Sequence, residues 1–171
     1  RLSDWSSDVC SSDLLGRLQS EKHDFLDGAE KVNEYLEKEG YSETSYQSTL
    51  HPSSSAKISL GGRNMTSVKD CGLLLERIYR GECVSEEASA QMLDLLKRQE
   101  NTSKIPAGIK AEVPTANKTG ETDEDQHDIA IVYGAKTTYI LCVMSEGWKS
   151  GGDAVQNIQN ISSMVYNYLN L

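Results

Sequence analysis

Two apolar, β-branched runs near the end of the chain constrain its fold more than any other feature. Residues 128–133 and 138–144 are separated only by the four residues Gly134-Ala135-Lys136-Thr137. This pattern is typical of an antiparallel hairpin with both faces largely buried. Residues 113–118 can form a third strand, and apolar residues at helical spacing predict a closing helix from about Asp153.

Three helices are predicted before the strands, each starting at a side chain that can accept a hydrogen bond from the first turn. The expected N-caps are Asp24 for the first helix, Thr66 or Ser67 for the second, and Ser85 for the third. Gly40 and Gly81 follow the first two helices, as C-terminal caps require. The inner face of the third is expected to carry Ala88, Met92 and either Leu95 or Leu96. The serine-rich segment 41–64 is predicted to be a functional or mobile loop. This order of elements predicts an α+β or layered α/β domain with an antiparallel sheet.

Charge and cysteine usage exclude several classes of function. The formal net charge of −9 argues against nucleic-acid binding, which needs a basic face to meet phosphates. No apolar stretch approaches the roughly 20 residues of a membrane span. The four cysteines, Cys10, Cys71, Cys83 and Cys142, show no CxxC spacing. We therefore expect neither a metal site nor a disulfide framework, and interpret these cysteines as small buried apolar residues.

The first fourteen residues differ in character from the rest of the chain. They have no apolar period and no signal-peptide core. Residues 4–14 read DWSSDVCSSDL, which is the in-frame translation of a short-read sequencing adapter. We therefore expect residues 1–14 to be foreign and residues 15–171 to be the C-terminal portion of a larger domain. The alternative is a disordered polar tail.

The stretch most informative about function runs from Ala116 to Glu121, at the end of the strand predicted over residues 113–118. Lys118 offers a positive charge and Thr119 a hydroxyl donor. Gly120 lacks the side chain that would block a ligand lying along the strand edge. The next backbone N–H can donate to an oxyanion. Together these groups suit an anionic substrate that undergoes acyl transfer, whereas an ordinary surface turn is the alternative.

Several further segments occur in an order that resembles class A β-lactamases and the wider family of serine β-lactamases and penicillin-binding proteins, clostridial members above all. The resemblance runs from about Leu15 to the C-terminus. It implies a sheet flanked by helices and a small-molecule β-lactam or peptidoglycan-stem-like substrate. It also implies a monomer without a cofactor that acts outside the cytoplasm. The segments that carry it are residues 15–16, 64–70, 79–85, 104–108, 117–121 and 128–133.

The resemblance assigns roles to five residues. Lys118 would shape the electrostatics of the site and contact the serine of an SDN loop, and Thr119 would hydrogen-bond the substrate carboxylate. Gly120 would give clearance, and the backbone N–H of Glu121 would be half of the oxyanion hole. His127 falls where many class A enzymes place an arginine for the carboxylate. A neutral histidine supplies less charge, and a surface histidine at the start of a strand is the alternative.

The family nucleophile, the serine of an SxxK motif at a helix start, has no convincing counterpart. Ser54-Ser55-Ala56-Lys57 fits by letters but lies in the serine-rich loop, and Ser12-Asp13-Leu14 resembles SDN only superficially. We expect the nucleophile, its lysine and the SDN serine to lie upstream of Leu15. The chain itself is then expected to be inactive and marginally stable, with an open edge on the strand at residues 138–144.

A second departure concerns deacylation. Class A enzymes carry an ExxLN glutamate that activates the hydrolytic water, but residues 44–59 contain no glutamate or aspartate. Glu43 precedes this region without the surrounding pattern. The alternative function is therefore a penicillin-binding homologue that does not hydrolyse, such as a D,D-peptidase-like or sensor module.

Overall fold

A computed structural model of the chain describes residues 17–50 and 58–171. Two compact units are present, Arg1–Asp70 and Cys71–Leu171. The predicted order of helices and strands is confirmed. The elements are α1 (Phe25–Lys38), α2 (Val68–Arg80), α3 (Glu86–Lys97), a 3-10 turn (Pro106–Gly108), β1 (Thr115–Glu121), β2 (Gln126–Tyr133), β3 (Thr138–Ser145) and α4 (Gly151–Asn170).

Helix α1 begins and ends where the capping residues predict. The Asp24 carboxylate accepts the N–H of Asp27 at 3.0 Å, and Gly40 after the last turn has a φ of 84°. Phe25 and Ala29 form the buried face. The ring of Phe25 packs edge-on against Tyr46, with the ring centroids 5.3 Å apart. The helix is thus held by its apolar stripe against the loop that follows it.

The loop after α1 is anchored through its backbone. Asn33, Asn64 and Asp70 each accept hydrogen bonds from its N–H groups. The donors are the N–H groups of Tyr46, Gln47, Ser48 and Glu43, at 2.7 to 2.9 Å. The described parts of the loop therefore have defined partners for their backbone groups. Residues 51–57, which include the SxxK letters at Ser54, lie outside the described residues.

The caps of α2 and α3 also follow the sequence. Ser67 accepts the N–H of Asp70 at 3.2 Å, and Ser85 accepts the N–H of Ala88 at 3.0 Å. Of the two alternatives for the inner face of α3, the structure selects Leu96. Leu95 is 62% exposed, whereas Leu96 packs with Leu93 against the sheet. The fully buried position of α3 is held by the small polar residue Ser89.

The sheet has the strand order β1-β2-β3 and is antiparallel throughout. The limits predicted for β1 are wrong, because the strand runs from Thr115 to Glu121 rather than over residues 113–118. Glycine and glutamate disfavour strands, but here Gly120 pairs with His127 and Glu121 with Gln126. Pairing with β2 therefore extends β1, and the KTG motif lies inside the strand instead of after it.

The two faces of the sheet carry two separate apolar clusters. On one face, Ile158 and Tyr166 of α4 pack with Ile105 on Ala130 and Val132. On the other face, three buried side chains form the centre, namely Leu75 of α2, Ala116 of β1 and Ile131 of β2. Strand β2 is thus buried on both sides, as its continuous apolar sequence predicts.

In the unit Cys71–Leu171, apolar side chains of α4 and one edge of β3 remain uncovered among the described residues. Met164 is 64% and Tyr168 88% exposed on α4. Within the described residues, β3 pairs with β2 alone, so its second edge has no strand partner. Among all the described residues, no helix is long and apolar enough to cross a membrane.

Candidate functional site

The KTG motif lies along the edge of β1 that no described strand covers. The direction of the backbone groups on this edge follows from the ladder. Thr122 donates its N–H to the carbonyl oxygen of Asp125 at 3.1 Å. Bonded pairs recur at every second residue of an antiparallel ladder. Gly120 and His127, which lie opposite each other, are therefore a bonded pair, and the backbone groups of Gly120 point toward β2.

Residues that alternate with the bonded pairs direct their N–H and C=O groups to the open side of the strand. In β1 these residues are Thr119 and Glu121. The Nζ atom of Lys118 donates to the carbonyl oxygen of Thr119 at 2.7 Å, which agrees with a carbonyl on the open side. The N–H of Glu121 is accordingly available to a ligand that lies along the edge of β1.

The side chains of the motif alternate between the two faces. Lys118 is exposed, and Thr119 and Gly120 are partly buried. A Cβ atom at position 120 would meet nothing closer than a ring carbon of His127 at 3.6 Å, an ordinary contact distance. The fold itself therefore leaves room for a side chain at position 120.

His127 lies opposite Gly120 and on the same face as Lys118. Its Nδ1 atom accepts the backbone N–H of Ser145 at 3.2 Å. A neutral ring that accepts through Nδ1 carries its proton on Nε2. His127 can therefore offer an Nε2–H donor on the face that holds the Lys118 side chain.

A buried lysine that the sequence did not single out lies behind the motif. The side chain of Lys104 is 1% exposed. Its Nζ atom donates to the carbonyl oxygens of Gly120 at 3.3 Å and His127 at 3.1 Å. It also lies 3.2 Å from a carboxylate oxygen of Glu121. Three acceptors match the three N–H bonds of an ammonium group.

Asp128 completes this polar cluster and is fully buried. One carboxylate oxygen accepts the N–H of Ile105 at 2.8 Å, and the other accepts the side-chain amide of Asn117 at 3.2 Å. Burial raises the pKa of Asp128 to about 6, although these hydrogen bonds and the charge of Lys104 act in the opposite direction. The cluster therefore holds an acid that titrates just below neutral pH.

The sequence contained only faint signals for this cluster. Asp128 opens an otherwise apolar strand, and a carboxylate in a buried run needs partners. Asn117 and Lys104 belong to segments used for the family resemblance, but no local pattern marks Lys104 as buried. Its backbone acceptors lie 16 and 23 residues further along the chain.

A cavity of about 290 Å³ opens beside Lys118. Its other walls are mostly apolar, formed by Ile78 of α2 and by Met92, Leu95 and Leu96 of α3. Few polar groups converge in it, unlike the edge of β1. We therefore place the candidate site at the strand edge, with the cavity adjoining its lysine.

The remaining sequence candidates lie elsewhere. Glu43 is about half exposed, with its carboxylate 4.0 Å from Lys69. Cys71, Cys83 and Cys142 form no disulfide among the described residues and are partly buried. Burial raises the pKa of the Cys142 thiol to about 11, which keeps it in the unreactive protonated form. The described residues contain no group of three or more His, Cys, Asp or Glu side chains that could hold a metal ion.

A family model matches most of the chain, and several solved structures share its fold. A sequence model described as "Beta-lactamase enzyme family" matches residues 6–169. No curated protein matches the chain significantly. Among solved structures, PBP-A superposes with a TM-score of 0.70 and 24% identity over 84% of this chain. A β-lactamase from Sphaerobacter thermophilus gives 0.70 and 20% over 84%. The TLA-1 extended-spectrum β-lactamase gives 0.70 and 20% over 85%.

The chain spans about half the length of these structures. It covers 52% of PBP-A, 54% of the Sphaerobacter enzyme and 56% of TLA-1. Identities this low show a common fold, so the likeness in structure agrees with the expected sheet flanked by helices.

Proposed function

The chain belongs to the β-lactamase enzyme family, and from this membership we propose that it forms the KTG-strand part of a serine acyl-transfer site. In the parent protein, a serine outside residues 15–171 attacks the carbonyl of a β-lactam ring. The ring C–N bond breaks, the nitrogen takes up a proton, and an acyl-enzyme ester forms. Water then hydrolyses the ester and releases the serine.

The open edge of β1 is the observation that carries this proposal. The N–H of Glu121 faces the open side and donates to the oxyanion that develops during attack. The hydroxyl of Thr119 binds the substrate carboxylate, and Gly120 lets the substrate approach the strand. Lys118 supplies positive charge beside that carboxylate. The Nε2–H of His127 is a further donor on the Lys118 face.

A second function is favoured by the missing water-activating carboxylate. Residues 44–59 hold no acidic side chain, and Glu43 lies near Lys69 on the surface. The acyl-enzyme would then persist, and the parent would be a penicillin-binding homologue. The structural neighbours include a variant of PBP-A as an acyl-enzyme complex with penicillin G, which makes penicillins suitable probes.

The two functions are separated by labelling the full-length protein with a fluorescent penicillin and following nitrocefin in parallel. We expect covalent labelling in either case. Repeated nitrocefin turnover identifies a hydrolase, and a single stoichiometric burst identifies a non-hydrolysing acceptor. Absence of both label and nitrocefin turnover overturns both.

Lys118→Ala tests the site itself. Because Lys118 supplies charge directly to the substrate, we expect labelling to slow by about 100-fold, in the range lost on removing a single electrostatic donor. Lys110→Ala is the matched control, since Lys110 is another exposed lysine of the same unit. Equal rates for both variants would contradict the placement of the site at β1.

We propose further that residues 1–14 are foreign, because residues 4–14 read as a translated sequencing adapter, although the family match begins at residue 6. We also propose that the 171-residue chain is inactive by itself. Mass spectrometry of this chain after incubation with penicillin should show no adduct. Nitrocefin hydrolysis by a cooperatively folded sample would refute the inactivity. Source DNA that continues without interruption upstream of Leu15 would refute the foreign origin.

A further inference from the structure

Lys104 and the expected oxyanion donor are linked through a single peptide group. The carbonyl oxygen of Gly120 accepts a hydrogen bond from the Lys104 ammonium at 3.3 Å. The N–H of that same peptide group belongs to Glu121. The carbonyl points toward β2 and the N–H points to the open edge, because the two groups of a trans peptide lie on opposite sides.

We propose that Lys104 is a positioning residue for the acyl-transfer reaction, because it fixes and polarises the Gly120–Glu121 peptide group from behind the strand. This inference rests on the proposed function. A cation on the carbonyl oxygen draws electron density from the peptide group and strengthens the N–H as a donor. Hydrogen bonds in a chain reinforce one another in this way, and more so away from water.

The geometry fixes the donor as well as polarising it. The ammonium also binds the carbonyl oxygen of His127 at 3.1 Å, directly across the ladder from Gly120. It holds the Glu121 carboxylate at 3.2 Å. One buried group therefore contacts the peptide carbonyl before the donor, the side chain after it and the opposite strand. Such preorganisation is what makes an oxyanion donor effective at the moment of reaction.

A purely structural role is the competing explanation, and stability alone does not favour it. Burying an ammonium has a large desolvation cost, and apolar residues of similar size often serve stability as well or better. Lys104 is moreover aimed at the motif end of β1, where its charge also acts on Asp128. A structural lysine would affect unfolding without a separate effect on acylation.

The rate of acylation by a fluorescent penicillin is the decisive measurement, made on the full-length protein with Lys104→Met, Lys104→Arg and Asn170→Ala. We expect Lys104→Met to acylate about tenfold more slowly at saturating penicillin with little change in half-saturation, a smaller loss than removal of an oxyanion donor. Lys104→Arg restores part of the rate because it keeps the charge. Asn170→Ala, a buried polar substitution at the other end of the sheet, keeps the wild-type rate.

Two results would overturn the inference. One is a folded Lys104→Met protein that acylates at the wild-type rate. The other is a loss of rate in Asn170→Ala equal to that in Lys104→Met, which would mean that destabilisation alone is responsible.

A second measurement on the ligand-free 171-residue chain keeps the inference testable if Lys104→Met does not fold. Scalar coupling across the hydrogen bond, from the Lys104 side-chain nitrogen to the Gly120 carbonyl carbon, is expected in the NMR spectrum of the wild type. Its absence would overturn the inference. The proposed function fails separately if the wild-type full-length protein takes no penicillin label. The scalar coupling would still be observed in that case.

Discussion

The two ends of the sheet are each organised by one buried polar side chain, but by opposite means. At the motif end, the Lys104 ammonium donates to carbonyl oxygens of β1 and β2. At the other end, the side-chain oxygen of Asn170 accepts the N–H groups of Lys136 and Thr137, at 2.9 and 2.8 Å, in the turn between β2 and β3. The side chain at the motif end, Lys104, is charged, and the one at the other end, Asn170, is neutral.

The difference indicates what each end is for. The neutral amide of Asn170 satisfies two backbone donors without burying a charge, although its own buried NH2 group has no hydrogen-bond partner among the described residues. Two such bonds are sufficient to hold a turn. A buried ammonium with a buried carboxylate nearby costs more and responds to pH. The motif end therefore has an electrostatic arrangement that is not needed to hold a hairpin together, and this arrangement lies directly behind the candidate substrate edge.

Asp128→Ala should have the largest effect on stability. The change leaves the buried N–H of Ile105 without its acceptor, and it removes one of the two acceptors of the Asn117 side-chain amide, which still donates to the carbonyl oxygen of Asn101. It also removes a counter-charge for Lys104. We expect the free energy of unfolding to fall by about 3–5 kcal/mol. Urea denaturation followed by circular dichroism measures this, and a loss below that of Asn170→Ala would break the distinction between the two ends.

The stability of the motif end should also depend on pH. The folded-state pKa of Asp128, about 6, lies above the unfolded value of about 3.9. The folded protein therefore binds this proton more tightly, and its stability falls as the pH rises from about 4 through 6. The full contribution is roughly 3 kcal/mol.

Comparison of wild type with Asp128→Asn isolates this group from the other carboxylates. As the pH rises from about 4 to 6, the free energy of unfolding of the wild type should fall relative to that of Asp128→Asn. Outside this range the difference between the two proteins should stay constant. Asn170→Ala should follow the wild-type pH profile with a constant offset. A parallel profile for Asp128→Asn would contradict a raised pKa at Asp128.

Asn170→Ala should destabilise the opposite end by a smaller amount. Two backbone N–H groups of the exposed turn lose their acceptor, which costs about 1–3 kcal/mol in total at about 0.5–1.5 kcal/mol for each hydrogen bond. Hydrogen exchange should show faster exchange at Lys136 and Thr137 in particular. Unchanged exchange at these two amides would mean that the turn holds itself.

Gly120→Ala should have the smallest effect on folding and a clear effect on function. An added Cβ meets only His127 at 3.6 Å, and alanine in a strand is more favourable than glycine by up to about 1 kcal/mol. We expect unchanged or slightly higher thermal stability together with slower penicillin labelling. Labelling at the wild-type rate would mean that position 120 does not need to be clear.

Gly134→Ala is the matched control at the other end. Its Cβ would overlap the side-chain amide of Asn170, whose oxygen is hydrogen-bonded to the turn. We expect this variant to be destabilised, whereas Gly120→Ala is not, since only one of the two glycines is required by the fold.

Much of the fold could be predicted because it depends on neighbours in sequence. Asp24 and Ser85 cap helices through N–H groups three residues away, and the apolar runs of β2 and β3 lie within one hairpin. Predictions failed where distant partners decide. Strand β1 extends through Gly120 because β2 is there to pair with it. The sequence left Leu95 and Leu96 open as inner-face residues, and the packing of α3 on the sheet selects Leu96.

The same division applies to the candidate site. The hairpin, the helix caps and the position of Lys118-Thr119-Gly120 near the end of a strand could be predicted, because capping and apolar periodicity depend on nearby residues. The pairing of β1 with β2 sets which peptide N–H faces the open edge, and contacts between distant residues set which lysine is buried behind it. The role of Lys104 depends on carbonyl groups 16 and 23 residues away. Burial of a charge depends on the groups that surround it in space, not on the residues beside it in the chain.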